Sequence, residues 1–203
     1  MRTALLLALL AWPALAGPGE IFYRRAEAAW KQGDFRGAND LFRAAVAAEP
    51  ENPQYRVRWG RLYLERFQPA DAKQLFEEAL ELDPKNAGAV LGLALVAAES
   101  FERAAVELAA KALELDPKLV EAVELSARLA LEEGDHARAA VEASRALALN
   151  PRSLDAMAIH ATMDLLEDRH DTPWMEKIFA IDPRRGEAWA EAGRHFILNR
   201  RYE

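Results

Sequence analysis

Along this chain the apolar residues return at helical spacing, not in strand-like alternation. Phe22, Ala26, Ala29 and Trp30 fall three and four apart or adjacent, then Gln32-Gly33-Asp34 breaks the pattern. Ala38, Phe42, Ala45 and Val46 resume it on a new face. Apolar positions recurring near period 3.6 predict two amphipathic helices joined by a short turn. Glycine at a helix end takes the left-handed conformation cheaply, and an aspartate just after it caps the next helix. Asn52-Pro53 then reads as an N-cap followed by proline in the first helical turn, where its missing N–H costs nothing.

The same arrangement is written again downstream. Ala79-Leu80-Glu81-Leu82-Asp83-Pro84-Lys85 recurs letter for letter as Ala112-Leu113-Glu114-Leu115-Asp116-Pro117-Lys118, with weaker copies ending at Pro50, Pro151 and Pro183. Successive prolines of this set are 34, 33, 34 and 32 residues apart. A period in the thirties that closes each unit with a helix-stopping proline marks a helical repeat array. The units run at about 19–52, 53–86, 87–119, 120–153 and 154–185, followed by a half-repeat at 186–203. The third has one residue fewer at its turn, Glu99-Ser100-Phe101-Glu102, and the fifth has a polar turn that leaves room only for a short second helix. A small residue recurs in every first helix, at Ala26, Gly60, Ala94, Ala127, Ala161 and Gly193. Helices approach closely only where a side chain is a methyl group or absent.

The residues Trp59, Gly60, Tyr63, Ala72, Phe76, Ala79 and Pro84 resemble the tetratricopeptide repeat pattern, and the likeness covers residues 19 to 203. The resemblance implies an all-α fold, a right-handed α-solenoid of helix-turn-helix repeats whose first helices line a concave groove. It places Tyr23 and Glu27, Val57 and Arg61, Leu91 and Leu95, Glu124 and Arg128, then Ala158 and Thr162, on the inward face. The implied function is a non-catalytic scaffold that binds a protein partner, as a peptide or helix, in that groove. The lysine and asparagine set with which some such arrays grip chaperone tails is absent. Residues 172–203 also loosely resemble the helical arm that precedes zinc-peptidase-like domains in exported bacterial proteins, which implies an alternative role as the arm of a larger enzyme.

Composition narrows the partners. There are 26 basic and 33 acidic residues, a net charge of -7, which disfavours nucleic acid and anionic lipid. Met1-Arg2, the run Ala4 to Trp12 and Ala14-Leu15-Ala16 form the three parts of a signal peptide, so residues 1–16 are expected to be cleaved at Ala16/Gly17 and residues 17–203 exported to the periplasm or exterior. The chain has no cysteine, hence no disulfide, no cysteinyl zinc site and no lipidated cleavage point as a membrane anchor. None of His136, His160, His170 and His195 lies in a His-Glu-x-x-His helix, and His160 with Asp164 makes at most half a metal site. His136 is expected to pack where such arrays carry an aromatic. Ser126, Ser144 and Ser153 lack nucleophile-elbow glycines, and no phosphate loop occurs. No catalytic, cofactor or metal residue is therefore expected. The half-repeat would leave Trp189, Phe196 and Ile197 uncovered, a face for self-association.

Overall fold

The computed structural model describes residues 17–169 and 172–183. The expected signal peptide, the half-repeat with Trp189, Phe196 and Ile197, and His170 and His195 lie outside the described residues. Among those described there are ten helices and no strand. They pair along the chain as α1 (Pro18–Lys31) with α2 (Phe35–Ala48), α3 (Pro53–Glu65) with α4 (Pro69–Leu82) and α5 (Ala87–Glu99) with α6 (Ala104–Leu115). Then follow α7 (Val120–Glu132) with α8 (His136–Leu149), and α9 (Leu154–Leu166) with α10 (Pro173–Ile181). The result is an α-solenoid of helical hairpins.

Local chemistry sets the ends. Asp34, Asn52, Asn86, Asp135, Ser153 and Thr172 each accept a backbone N–H two or three residues on, satisfying a donor that the first helical turn leaves open. Within each hairpin one residue turns the chain in the left-handed region: Gly33 (φ 79°), Phe67 (55°), Phe101 (53°), Gly134 (78°) and Asp168 (63°). The missing residue of the third unit falls between Phe101 and Ala105. As a result α6 begins late, at Ala104, and its N-cap Arg103 makes no side-chain cap. The fifth hairpin's second helix has nine residues, as its polar turn leads one to expect.

Each odd-numbered helix packs on the even one that follows, and each even helix packs on the next odd one. In addition α3 touches α5, α5 touches α7 and α7 touches α9, whereas the even helices do not pack comparably on one another. A layer drawn together on one side and spread on the other must curve, so the odd helices line the concave face. The core runs through the small positions: Ala26, Ala94, Ala127 and Ala161 are fully buried, as are Phe42 and Phe76. Phe76 is clasped by two glycines on either side. A Cβ built on Gly60 would lie 2.7 Å from its ring and one on Gly92 2.4 Å, closer than carbon atoms approach. The large residue of α4 thus fits because α3 and α5 present no side chain to it.

Candidate functional site: a concave groove

Two cavities lie on the concave face and share Arg61, Leu95, Glu121 and Arg128, so they form one groove. The first, about 300 Å³, is completed by Glu124, Leu125, Asp155 and Ile159 from α7 and α9. The second, about 550 Å³, extends across α3 to Trp30 of α1 and to Phe67 at the α3–α4 turn. On α7 the lining residues Glu121, Glu124, Leu125 and Arg128 are spaced i, i+3, i+4 and i+7, one helical face.

Ion pairs and hydrogen bonds stitch the groove walls together. Arg58 of α3 donates to both carboxylate oxygens of Glu27 on α1 (2.8 and 2.9 Å) and lies 4.8 Å over the Trp30 ring. The Trp30 indole N–H donates to Glu65 (2.6 Å). Arg61 reaches past α5 to pair with Glu121 on α7, so one guanidinium ties the second hairpin to the fourth. Burial draws the Arg61 pKa down, against the attraction of Glu121. An arginine stays charged at any ordinary pH, so Arg61 keeps its charge although burial disfavours it, and the exposed carboxylate of Glu121 meets that charge at the groove surface. The Ser153 hydroxyl donates to Glu124 (2.5 Å), joining α9 to α7. Arg128 is different. Half-buried on the groove floor, it has no ion pair or hydrogen bond among the described residues.

The structure divides the expected inward residues. Arg61, Leu95, Glu124 and Arg128 line the first cavity together. Tyr23 stacks on Tyr55 (5.2 Å) and sits edge-on to Phe42, and Glu27 is taken by Arg58, so both belong to the α1–α3 contact. Val57 and Leu91 are buried, as are Ala158 and Thr162, and none of these four lines the groove. The cause lies in packing, not in spacing. Val57, Leu91 and Ala158 sit one helical turn before Arg61, Leu95 and Thr162 on the same face and are covered by neighbouring helices, whereas Glu124, at the equivalent position of the fourth repeat, reaches the groove. Glu121, Asp155 and Arg58 were missed; charged residues one helical turn before Leu125 and Ile159 were the available signal for the first two.

Elsewhere, the candidate chemistry is already engaged. The Ser144 hydroxyl and His160 Nε2 are 3.3 Å apart, but His160 stacks on Trp174 (4.7 Å between centroids) and Asp164 gives its oxygens to Arg169 and Thr172. Ser144 also stands inside α8, where backbone N–H groups are used in the helix and none is left to hold an oxyanion. No three His, Asp or Glu side chains group at metal-binding distances among the described residues. His136, expected to pack, is exposed at the start of α8. Trp59 is half-buried and its indole donates to Asn39 (2.9 Å).

Comparison with known proteins agrees with this architecture. A family model described as tetratricopeptide repeat matches residues 23–66 and 57–120. Residues 23–120 carry tetratricopeptide repeats. Among solved structures it resembles TTC0263, a tetratricopeptide repeat protein of Thermus thermophilus, at 16% identity and a TM-score of 0.74, covering 88% of this chain and 99% of that one. It also resembles PilF of Pseudomonas aeruginosa, at 15% identity and a TM-score of 0.70 over 88% and 82% of the two chains. YrrB, described as having an unusual peptide-binding site, matches at 17% identity and a TM-score of 0.53 over 83% and 89%. At these identities the likeness is one of fold. No curated protein matches the sequence. The family match and these structures agree on a helical-repeat fold.

Proposed function

We propose that the concave groove receives a peptide segment or helix of a partner protein. The observation that carries this reading is Arg128, a guanidinium on the groove floor without a partner among the described residues, while Arg58 and Arg61 beside it are matched by Glu27 and Glu121. Removing such a group from water is costly unless acceptors meet it, and a guanidinium offers five donors in a planar fork. Backbone carbonyls or a carboxylate of a bound segment supply those acceptors, while Leu95, Leu125 and Ile159 give an apolar side chain a place to lie. Phosphate-rich ligands fit poorly, because Glu121, Glu124 and Asp155 share the first cavity. The peptide-binding site named for YrrB supports the class of ligand.

The test is capture of the partner on immobilised protein, wild type against Leu95→Glu with Arg128→Glu. The double variant is expected to lose the main partner at unchanged helicity by circular dichroism. Undiminished capture would move the site off the groove. Residues 1–16 are proposed to direct export, so protein recovered from the envelope or medium should have the intact mass of a chain beginning at Gly17; a mass beginning at Met1 would refute this.

A further inference from the structure

Phe67 and Phe101 are the residues the fold is least obliged to have. Both occupy the left-handed turn position that Gly33 and Gly134 fill in other hairpins, at φ 55° and 53°. Both leave the ring in water, at 85% and 83% exposure. A phenylalanine there is unfavourable twice over, through its backbone and through its exposed ring. Residues held against both preferences mark a surface kept for something else.

The two rings stand on consecutive hairpins, on one ridge of the solenoid. Neighbouring helices lie about 8–10 Å apart, which sets the spacing between equivalent positions of α3 and α5. An extended peptide repeats one face at roughly 7 or 13 Å and misses that spacing, whereas a helix repeats a face every two turns, at about 10.5 Å. Across the turns of the second, third and fourth hairpins the ridge is acidic: Glu65, Glu99, Glu102, Glu132, Glu133 and Asp135 stand against Arg66, Arg103 and Arg138, of which Arg138 pairs with Glu133 and Arg66 lies 4.7 Å over the ring of Phe35.

The geometry points to the Phe67–Phe101 ridge as a docking site for an amphipathic helix of a partner protein, apolar at positions i, i+3, i+4 and i+7 and flanked by lysine or arginine. The ridge adjoins the groove at Phe67 but does not depend on the Arg128 reading. The probe is a fluorescent, lysine-flanked helical peptide of about 15 residues with leucine at those four positions, titrated into the full chain by anisotropy. Replacing Phe67 and Phe101 together with glycine is expected to weaken binding by about tenfold or more. The same variant should melt no lower than the wild type, because glycine suits the left-handed turn. Arg128→Glu should leave the peptide's affinity unchanged within about twofold, and glutamate flanks should abolish binding. The proposal is overturned if the wild type fails to bind the peptide, if the glycine variant binds it equally well, or if a version with the leucines alternated binds as tightly. Sedimentation showing a dimer that the glycine variant dissolves would give the ridge to a second copy instead.

Discussion

At the residue scale, the account turns on where the chain does without a side chain and where it carries one at a cost. Gly92 and Gly60 exist to admit Phe76, whose ring is fully buried between them. Alanine at Gly92 gains about 1 kcal/mol of helix propensity, but its methyl meets a rigid ring at 2.4 Å. Overpacking of this kind costs about 1–3 kcal/mol, so Gly92→Ala should lower stability in urea titration. Adding Phe76→Leu should recover part of the loss; a stabilised single variant would show that the clasp is not tight. Ala127→Leu should likewise cost about 1–3 kcal/mol, since Ala127 is fully buried. Such small positions were legible from the repeat because their only task is to let helices approach. The groove residues were less so. Val57 and Leu91 share a helical face with Arg61 and Leu95 one turn on, yet they are covered by neighbouring helices while Arg61 and Leu95 reach the groove. Which turn of a face is covered is decided by tertiary packing, which a single helix's pattern does not contain.

At the scale of the element, the hairpins differ in what secures them. The final described pair, α9 and α10, relies on a polar cluster in which His160 stacks on Trp174 and Lys177 lies 4.0 Å over the same ring. Burial lowers the His160 pKa below its ordinary 6.5; Asp164 opposes this and the nearby Lys177 adds to it. Burial pushes Asp164 up, but the hydrogen bonds from Arg169 and Thr172 outweigh it and leave its pKa below 3.8. For both groups the unfolded chain binds the proton more readily, so stability rises with pH across the window between folded and unfolded values. His160's contribution is complete above about 6.5 and is lost as pH falls through the depressed folded value; Asp164's is lost only in stronger acid. Amides of α9 and α10 should therefore exchange relatively faster at about pH 5.5 than at pH 7.5, after correction for intrinsic rates, and His160→Gln should flatten the difference. Equal protection at both values would remove the histidine from the account. The caps of α2 and α3, Asp34 and Asn52, were readable in advance because capping is local. The cluster around His160 was not, because Trp174 and Ser144 reach it from other helices.

At the scale of the whole molecule, the ten described helices are held as one curved layer by contacts that skip along the concave side, and Arg61–Glu121 is the longest of these ties in sequence. Of the three arginines that line the groove, Arg128 is the one without an ion pair among the described residues, which makes it the centre of the functional account. The most direct measurement is a methyl NMR titration of the full chain with its captured partner. The account predicts that Leu95, Leu125 and Ile159 shift on addition of the partner, that Leu108 and Val141 on the even helices stay in place, and that Arg128→Glu abolishes the shifts. Movement of the even-helix methyls with Leu95, Leu125 and Ile159 unchanged would contradict it.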